Sequence, residues 1–235
     1  MGEWAAPQRE ELIMERRRLM MKEIGGGSVL PPEYQQIEWL GVSNETVKAY
    51  IDTGIIPYIG LNFETKFAQT TYPFSSQIVD STAFGADIQW NNSGYSIAIY
   101  NRASLGVQFH MRYPITSKYS FTGILPDSDV FTTYKYEDGN CYINNSLVLT
   151  NNEFVPIGDL SLYIFAGNRN GVVTTGLFNN LRFDFMRFYD SNGDVAHFIP
   201  CYRKRDNIPG MYDIVRNQFF INSGSGSFIA GPDVN

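Results

Sequence analysis

The chain has 235 residues, 43% of them hydrophobic and 18% charged, enough to bury the core of one large domain or two small ones. A formal net charge of −6 makes the body repel phosphate backbones, which argues against nucleic acid as the main partner. Two cysteines, Cys141 and Cys201, with no CxxC spacing exclude a disulfide framework and a zinc ribbon.

Residues 7–24 are the one convincing helix, with strong helix formers throughout, Pro7 at the start and Gly25 at the end. The first 24 residues hold five basic and five acidic side chains, so the whole −6 belongs to the remainder of the chain. At 100° per residue Leu12, Ile13, Leu19, Met20 and Ile24 share one face, and Met14 and Met21 lie on another. Arg16 and Arg17 interrupt a heptad seam, and a helix this short needs a partner, whether another subunit or its own domain. Gly25-Gly26-Gly27-Ser28 is a flexible joint and Pro31-Pro32 a stiff spacer. These features predict an N-terminal docking arm and tether over 1–28 and a globular body over 29–235.

From residue 33 onward, alternation and turn punctuation predict strands over 34–40, 49–52, 61–69, 82–90, 94–100, 105–113, 118–125, 130–137, 140–149, 160–168, 176–189 and 195–202. Asp138-Gly139 and Asn192-Gly193 are hairpin signals, since both pairs tolerate positive φ. In LRFDFMRFYD, strict alternation puts Leu181, Phe183, Phe185 and Arg187 on one face and Arg182, Asp184, Met186 and Phe188 on the other. The C-terminal stretch reads as two aromatic strands, 194–201 and 218–221, joined through a turn at Ile208-Pro209-Gly210 and closed by a Gly/Ser run. Both cysteines fall inside predicted strands, as buried thiols or a single bridge between neighbouring strands. Closely spaced strands without intervening helices, in a chain with 15 Tyr and 17 Phe, predict an all-β sandwich or jelly roll.

The order EYQQIEWLGVSNETVKAYIDTGI, YEDGNCYINNSLV, LYIFAGNRNG, FDFMRFYDSNGDVAHFIPCYRK and GMYDIVRNQFFINSGSGSFIAGPDV resembles the concanavalin A-like lectin/glucanase superfamily. Within it, the chain is similar to laminin G-like modules of phage virion and bacterial surface proteins, over about residues 33–234. The resemblance implies a jelly roll of two curved antiparallel sheets, with glycans bound on the concave face or its rim loops in many members. It fixes fold better than function.

Retaining hydrolases of this superfamily place paired carboxylates in an ExDxxE pattern, so that both face the cleft about 5 Å apart; no such pattern occurs here. His110 and His197 are the only histidines, each between apolar neighbours and without a second ligand at metal spacing. The Gly171–Gly176 and Phe84–Asp87 segments open no helix and are not phosphate loops, and Arg203-Lys204-Arg205 reads as a solvated or salt-bridged turn. Calcium would need loop oxygens, for which Asp127 and Asp129, flanking Ser128, are the weak candidates. Sugar binding needs an aromatic platform with amides beside it, which the stretch containing Asp87, Trp90, Asn91, Asn92 and Tyr95 supplies; Asn168, Arg169 and Asn170 form a second polar loop.

With no basic-then-apolar leader and no apolar run near the ~18 residues that cross a bilayer, the chain is expected in the host cytoplasm and then in an assembly, without membrane insertion. The leading expectation is a non-enzymatic phage virion protein, a tail fibre or capsid decoration subunit. Its arm would dock on other virion proteins and its lectin-like body would meet a host-surface glycan. The chain is expected to be a homo-oligomer, a trimer by analogy with fibres. The alternatives are a structural virion subunit that binds no sugar, a bacterial carbohydrate-binding surface protein, and a glycoside hydrolase.

Overall fold

The computed structural model describes residues 29–42, 49–69, 81–87, 96–102, 106–112, 119–121, 127, 129–150, 159–174 and 181–234. The helical arm expected over 1–28, with Leu12, Ile13, Leu19, Met20 and Ile24, lies outside them.

Every helix or strand among the described residues is a strand. In chain order these are β1 (Tyr34–Gln36), β2 (Leu40–Val42), β3 (Ile51–Asp52), β4 (Asn62–Gln69), β5 (Ser81–Asp87), β6 (Ser96–Arg102), β7 (Gly106–Arg112), β8 (Tyr119–Phe121), β9 (Thr132–Glu137) and β10 (Asn140–Ile143). They continue with β11 (Ser146–Thr150), β12 (Tyr163–Ile164), β13 (Gly167–Arg169), β14 (Val172–Thr174), β15 (Leu181–Asp190), β16 (Gly193–Arg203), β17 (Ile208–Asp213), β18 (Gln218–Phe220) and β19 (Phe228–Ala230).

They form two sheets. The larger has eleven strands and runs β11-β10-β9-β4-β15-β16-β17-β18, with β1 added to β16 and β2-β19 added to β15. The smaller has eight and runs β14-β13-β5-β6-β7-β8, with β3 and β12 joined at β5. All pairings are antiparallel except β13 against β5. The period of two explains which residues turn inward: on β9, Thr132, Tyr134 and Tyr136 are buried while Thr133, Lys135 and Glu137 alternate outward. Inward rings meet across the two sheets. Phe63 on β4 packs edge-on against Phe84 on β5 with centroids 4.8 Å apart, and Phe84 meets Phe188 on β15 at 6.4 Å. Each fully buried ring contributes about 1.5–3 kcal/mol of apolar burial. One buried cluster joins both sheets, so the described body is an all-β sandwich, consistent with the jelly roll the sequence predicts. Cys141 and Cys201 are both buried free thiols, and burial pushes each up to about 12.

The structure departs from the strand expectations at several places, among them residues 34–40, which are split between β1 and β2; three others have a clear local reason. Residues 140–149 are two strands, because Asn144 and Asn145 take φ of 48° and 63° and close a hairpin, with the Asn144 side chain accepting a 3.0 Å hydrogen bond from the Thr133 N–H. Residues 160–168 are interrupted at Phe165, whose φ is 71° and whose ring lies buried against Phe183. Ile208-Pro209-Gly210 belongs to β17 and is not a turn; the reversal occurs at 204–207, where Asp206 holds Arg203 and Asn207 takes φ of 55°. Gly210 answers close packing: a Cβ there would lie 2.2 Å from the Phe220 carbonyl oxygen. The last segment is thus a three-stranded meander, with β17 between β16 and β18.

Candidate functional site on the solvent face of the larger sheet

The strand LRFDFMRFYD does not alternate strictly. The register against β4 shifts between Phe183 and Phe185, making Asp184 an extra residue, a β-bulge. After it the phase is reversed. Leu181, Phe183, Met186 and Phe188 are buried, whereas Arg182, Asp184, Phe185, Arg187 and Tyr189 lie on the solvent side. The expected placement of Phe185 with Leu181 and Phe183 is corrected by this bulge. Its physical cause is visible in the sequence, because unbroken alternation would drive the Arg187 guanidinium into the core beside Phe183.

Phe185 therefore stands on the outer face of the sheet, in a depression of about 300 Å³ lined with Gln36, Glu64, Asp184, Arg187, His197 and Ile199. These come from four neighbouring strands, β1, β4, β15 and β16. Arg187 is opposite Glu64 on one side and His197 on the other. Its Nε donates to Asp194 Oδ1 at 2.8 Å, its guanidinium lies 3.9 Å from Glu64, and it sits over the Tyr189 ring at 4.8 Å. Asp184 is paired with Lys66 at 2.6 Å. His197 meets Phe185 edge-to-face at 6.0 Å. Both carboxylates of the depression thus face cations, and the ring stands among fixed polar groups.

Toward the start of β15 the same face carries a second aromatic group. The Arg182 guanidinium lies 5.3 Å from the Trp39 ring and 5.5 Å from Phe131, and bonds Asp129 at 2.8 Å. Trp39 lies flat because Gly231 leaves room; a Cβ there would be 2.7 Å from the indole. Apart from Asp129, named as a weak calcium candidate, none of these residues was singled out from the sequence as a binding residue. The available signal was the phase conflict in β15.

Of the two polar segments expected to bind sugar, the described part of the first, Asp87, ends the strand that pairs with the second. The parallel pairing of β13 with β5 sets Arg169 opposite Asp87 and Asn168 opposite Ala86. Trp90, Asn91, Asn92 and Tyr95 lie outside the described residues. Asn168 is 3% exposed, with its amide donating to the Ser161 carbonyl and accepting from the Gly171 N–H, both at 3.0 Å, so this side chain shapes the hairpin. Asn170, with φ of 49°, is exposed at the turn. Of the calcium candidates, Asp127 is exposed and the Asp129 carboxylate is paired with Arg182 at 2.8 Å; among the described residues no three acidic, histidine or cysteine side chains gather as a metal site.

Searches with the sequence find no matching family model and no matching curated protein. Among solved structures, the chain is similar to the native heptameric SAP-like pentraxin from Limulus polyphemus, with a TM-score of 0.48 and 10% identity over 83% of this chain and 95% of that one.

Proposed function

We propose that this protein is a non-catalytic carbohydrate-binding module of the laminin G-like kind, held by its N-terminal arm in a phage virion, where it attaches to a host-surface glycan. The observation that carries the glycan-binding reading is the β15 bulge, which lifts Phe185 onto the solvent face among Gln36, Glu64, Asp184, Arg187 and His197. A ring flanked by amide, carboxylate and guanidinium groups supplies what a pyranose needs, an apolar plane for its C–H face and fixed partners for its hydroxyls. The non-catalytic part rests on the ion pairs: Asp184 is held by Lys66 and Glu64 faces Arg187, whereas hydrolysis needs one carboxyl that carries a proton and one that is free to attack.

The virion placement rests on the sequence order of amphipathic helix, glycine joint, proline spacer and sandwich. Several copies on one particle would turn weak single-site binding into firm attachment through effective concentration. A glycan microarray probed with the full chain and with Phe185→Ala tests the binding reading: a defined set of glycans retained by the wild type and lost by the variant supports it, and silence of the wild type overturns it. Pull-down from a lysate of phage-infected cells, comparing the full chain with one lacking residues 1–28, tests the arm. Capture of virion proteins only by the full chain is expected, and equal capture by both overturns the docking role.

A further inference from the structure

The four strands around the Phe185 depression, β1, β4, β15 and β16, carry four lysine or arginine side chains, Lys66, Arg182, Arg187 and Arg203. Each is already held by an acid of this chain. Lys66 meets Asp184 at 2.6 Å, Arg182 meets Asp129 at 2.8 Å, Arg187 donates from Nε to Asp194 at 2.8 Å, and Arg203 meets Asp206 at 2.6 Å. Each also lies over an aromatic ring: Lys66 over Phe131 at 5.7 Å, Arg182 over Trp39 at 5.3 Å, Arg187 over Tyr189 at 4.8 Å and Arg203 over Phe219 at 5.6 Å. Among the described residues no lysine or arginine lies over the Phe185 ring.

The cations of this face are thus committed twice over, while its acids keep capacity. Lys66 and Arg187 balance Asp184 and Asp194, so Glu64, 3.9 Å from Arg187, leaves the depression negative when His197 is neutral. A sugar hydroxyl can donate to the lone pairs that the ion pairs leave open, because an ionised carboxylate offers about four acceptor sites. A ligand carboxylate, sulfate or phosphate meets no such opening. It would have to displace Asp184 from Lys66 or Asp194 from Arg187, leaving a partly buried acid unpaired beside a second anion. The chain's net charge of −6 acts in the same direction.

We propose that the ligand of the Phe185 depression is an uncharged glycan, built of neutral hexoses or N-acetylhexosamines without carboxylate, sulfate or phosphate; this specificity rests on the glycan-binding reading above. The test probes the full chain on an array of matched pairs, each a neutral glycan beside the same glycan carrying a sialic acid, a uronic acid or a sulfate. It is run at about pH 8, where an ordinary imidazole with a pKa of about 6.5 is neutral. The neutral member of each bound pair is expected to bind roughly 10-fold more tightly or better, the scale of one charge-assisted contact. Glu64→Gln removes the uncompensated charge at an exposed strand face and is expected to narrow that ratio several-fold. Anionic members bound as tightly as their neutral partners, or a ratio that Glu64→Gln leaves unchanged, overturn the specificity while glycan binding at Phe185 stands. A wild type silent on every pair overturns the glycan reading itself, and the specificity with it.

Discussion

Phe185 and Phe188 are three positions apart on one strand, yet they do opposite work. Phe188 is fully buried and meets Phe84 and Phe198, while Phe185 lies on the solvent face. Truncating Phe188 leaves a cavity in a packed core and is expected to cost about 3–5 kcal/mol. Phe185→Ala removes a ring from the solvent side and is expected to cost under about 1 kcal/mol. Urea denaturation of the two variants checks the pair. The reverse order, with Phe185→Ala the costlier variant, would mean that the strand alternates without a bulge and that Phe185 is a core residue.

At the scale of elements, the meander of β16, β17 and β18 is pinned by one buried acid. Asp213 is 0% exposed; its Oδ1 accepts from the N–H groups of His197 at 3.0 Å and Val215 at 2.9 Å, and its Oδ2 from Arg216. Arg216 in turn donates to the Thr53 carbonyl at 2.9 Å, tying the β17–β18 turn to the segment after β3. Asp213→Ala strands these donors and leaves a partly buried guanidinium without its anion, an expected loss of about 3–5 kcal/mol by urea denaturation. A loss under about 1 kcal/mol would show that the turn holds without it. Such elements were only partly legible in the sequence. Long alternating strands and the Asp138-Gly139 hairpin could be read directly, because side-chain period and positive-φ residues are local signals. Asn144-Asn145 was hidden inside an apolar run, and Gly210 mimicked a turn while serving a close approach of β18. The site was less legible than the fold. Its residues come from four strands, so only pairing brings Gln36, Glu64, Phe185 and His197 together, and the bulge that turns Phe185 outward was signalled only by the awkward phase of Arg187.

At the scale of the whole molecule, the core buries ionisable groups in their neutral forms, and stability must respond to alkali. Burial pushes Cys141 from 9.0 up to about 12 and Tyr136 from 10.0 up to about 12. An acid raised on folding favours the folded state while both states are protonated. That contribution is complete below pH 9 and is lost as pH rises from the unfolded value through the folded one. The urea midpoint is therefore expected to stay level up to about pH 9 and to fall between about pH 9 and 12. Replacing both cysteines with alanine should move the onset to about pH 10, where unfolded tyrosine ionises. A midpoint unchanged up to pH 12 would contradict the buried neutral core. At the same scale the larger sheet has a broad solvent face whose chemistry follows β15, with Trp39 and Arg182, then Phe185, then a cavity beyond Tyr189. The most direct measurement of whether this face is the binding surface is amide chemical-shift mapping of the full chain with a glycan selected on the microarray. The account predicts shifts concentrated at Gln36, Glu64, Phe185, Arg187 and His197; shifts that leave these five untouched while others move would contradict it.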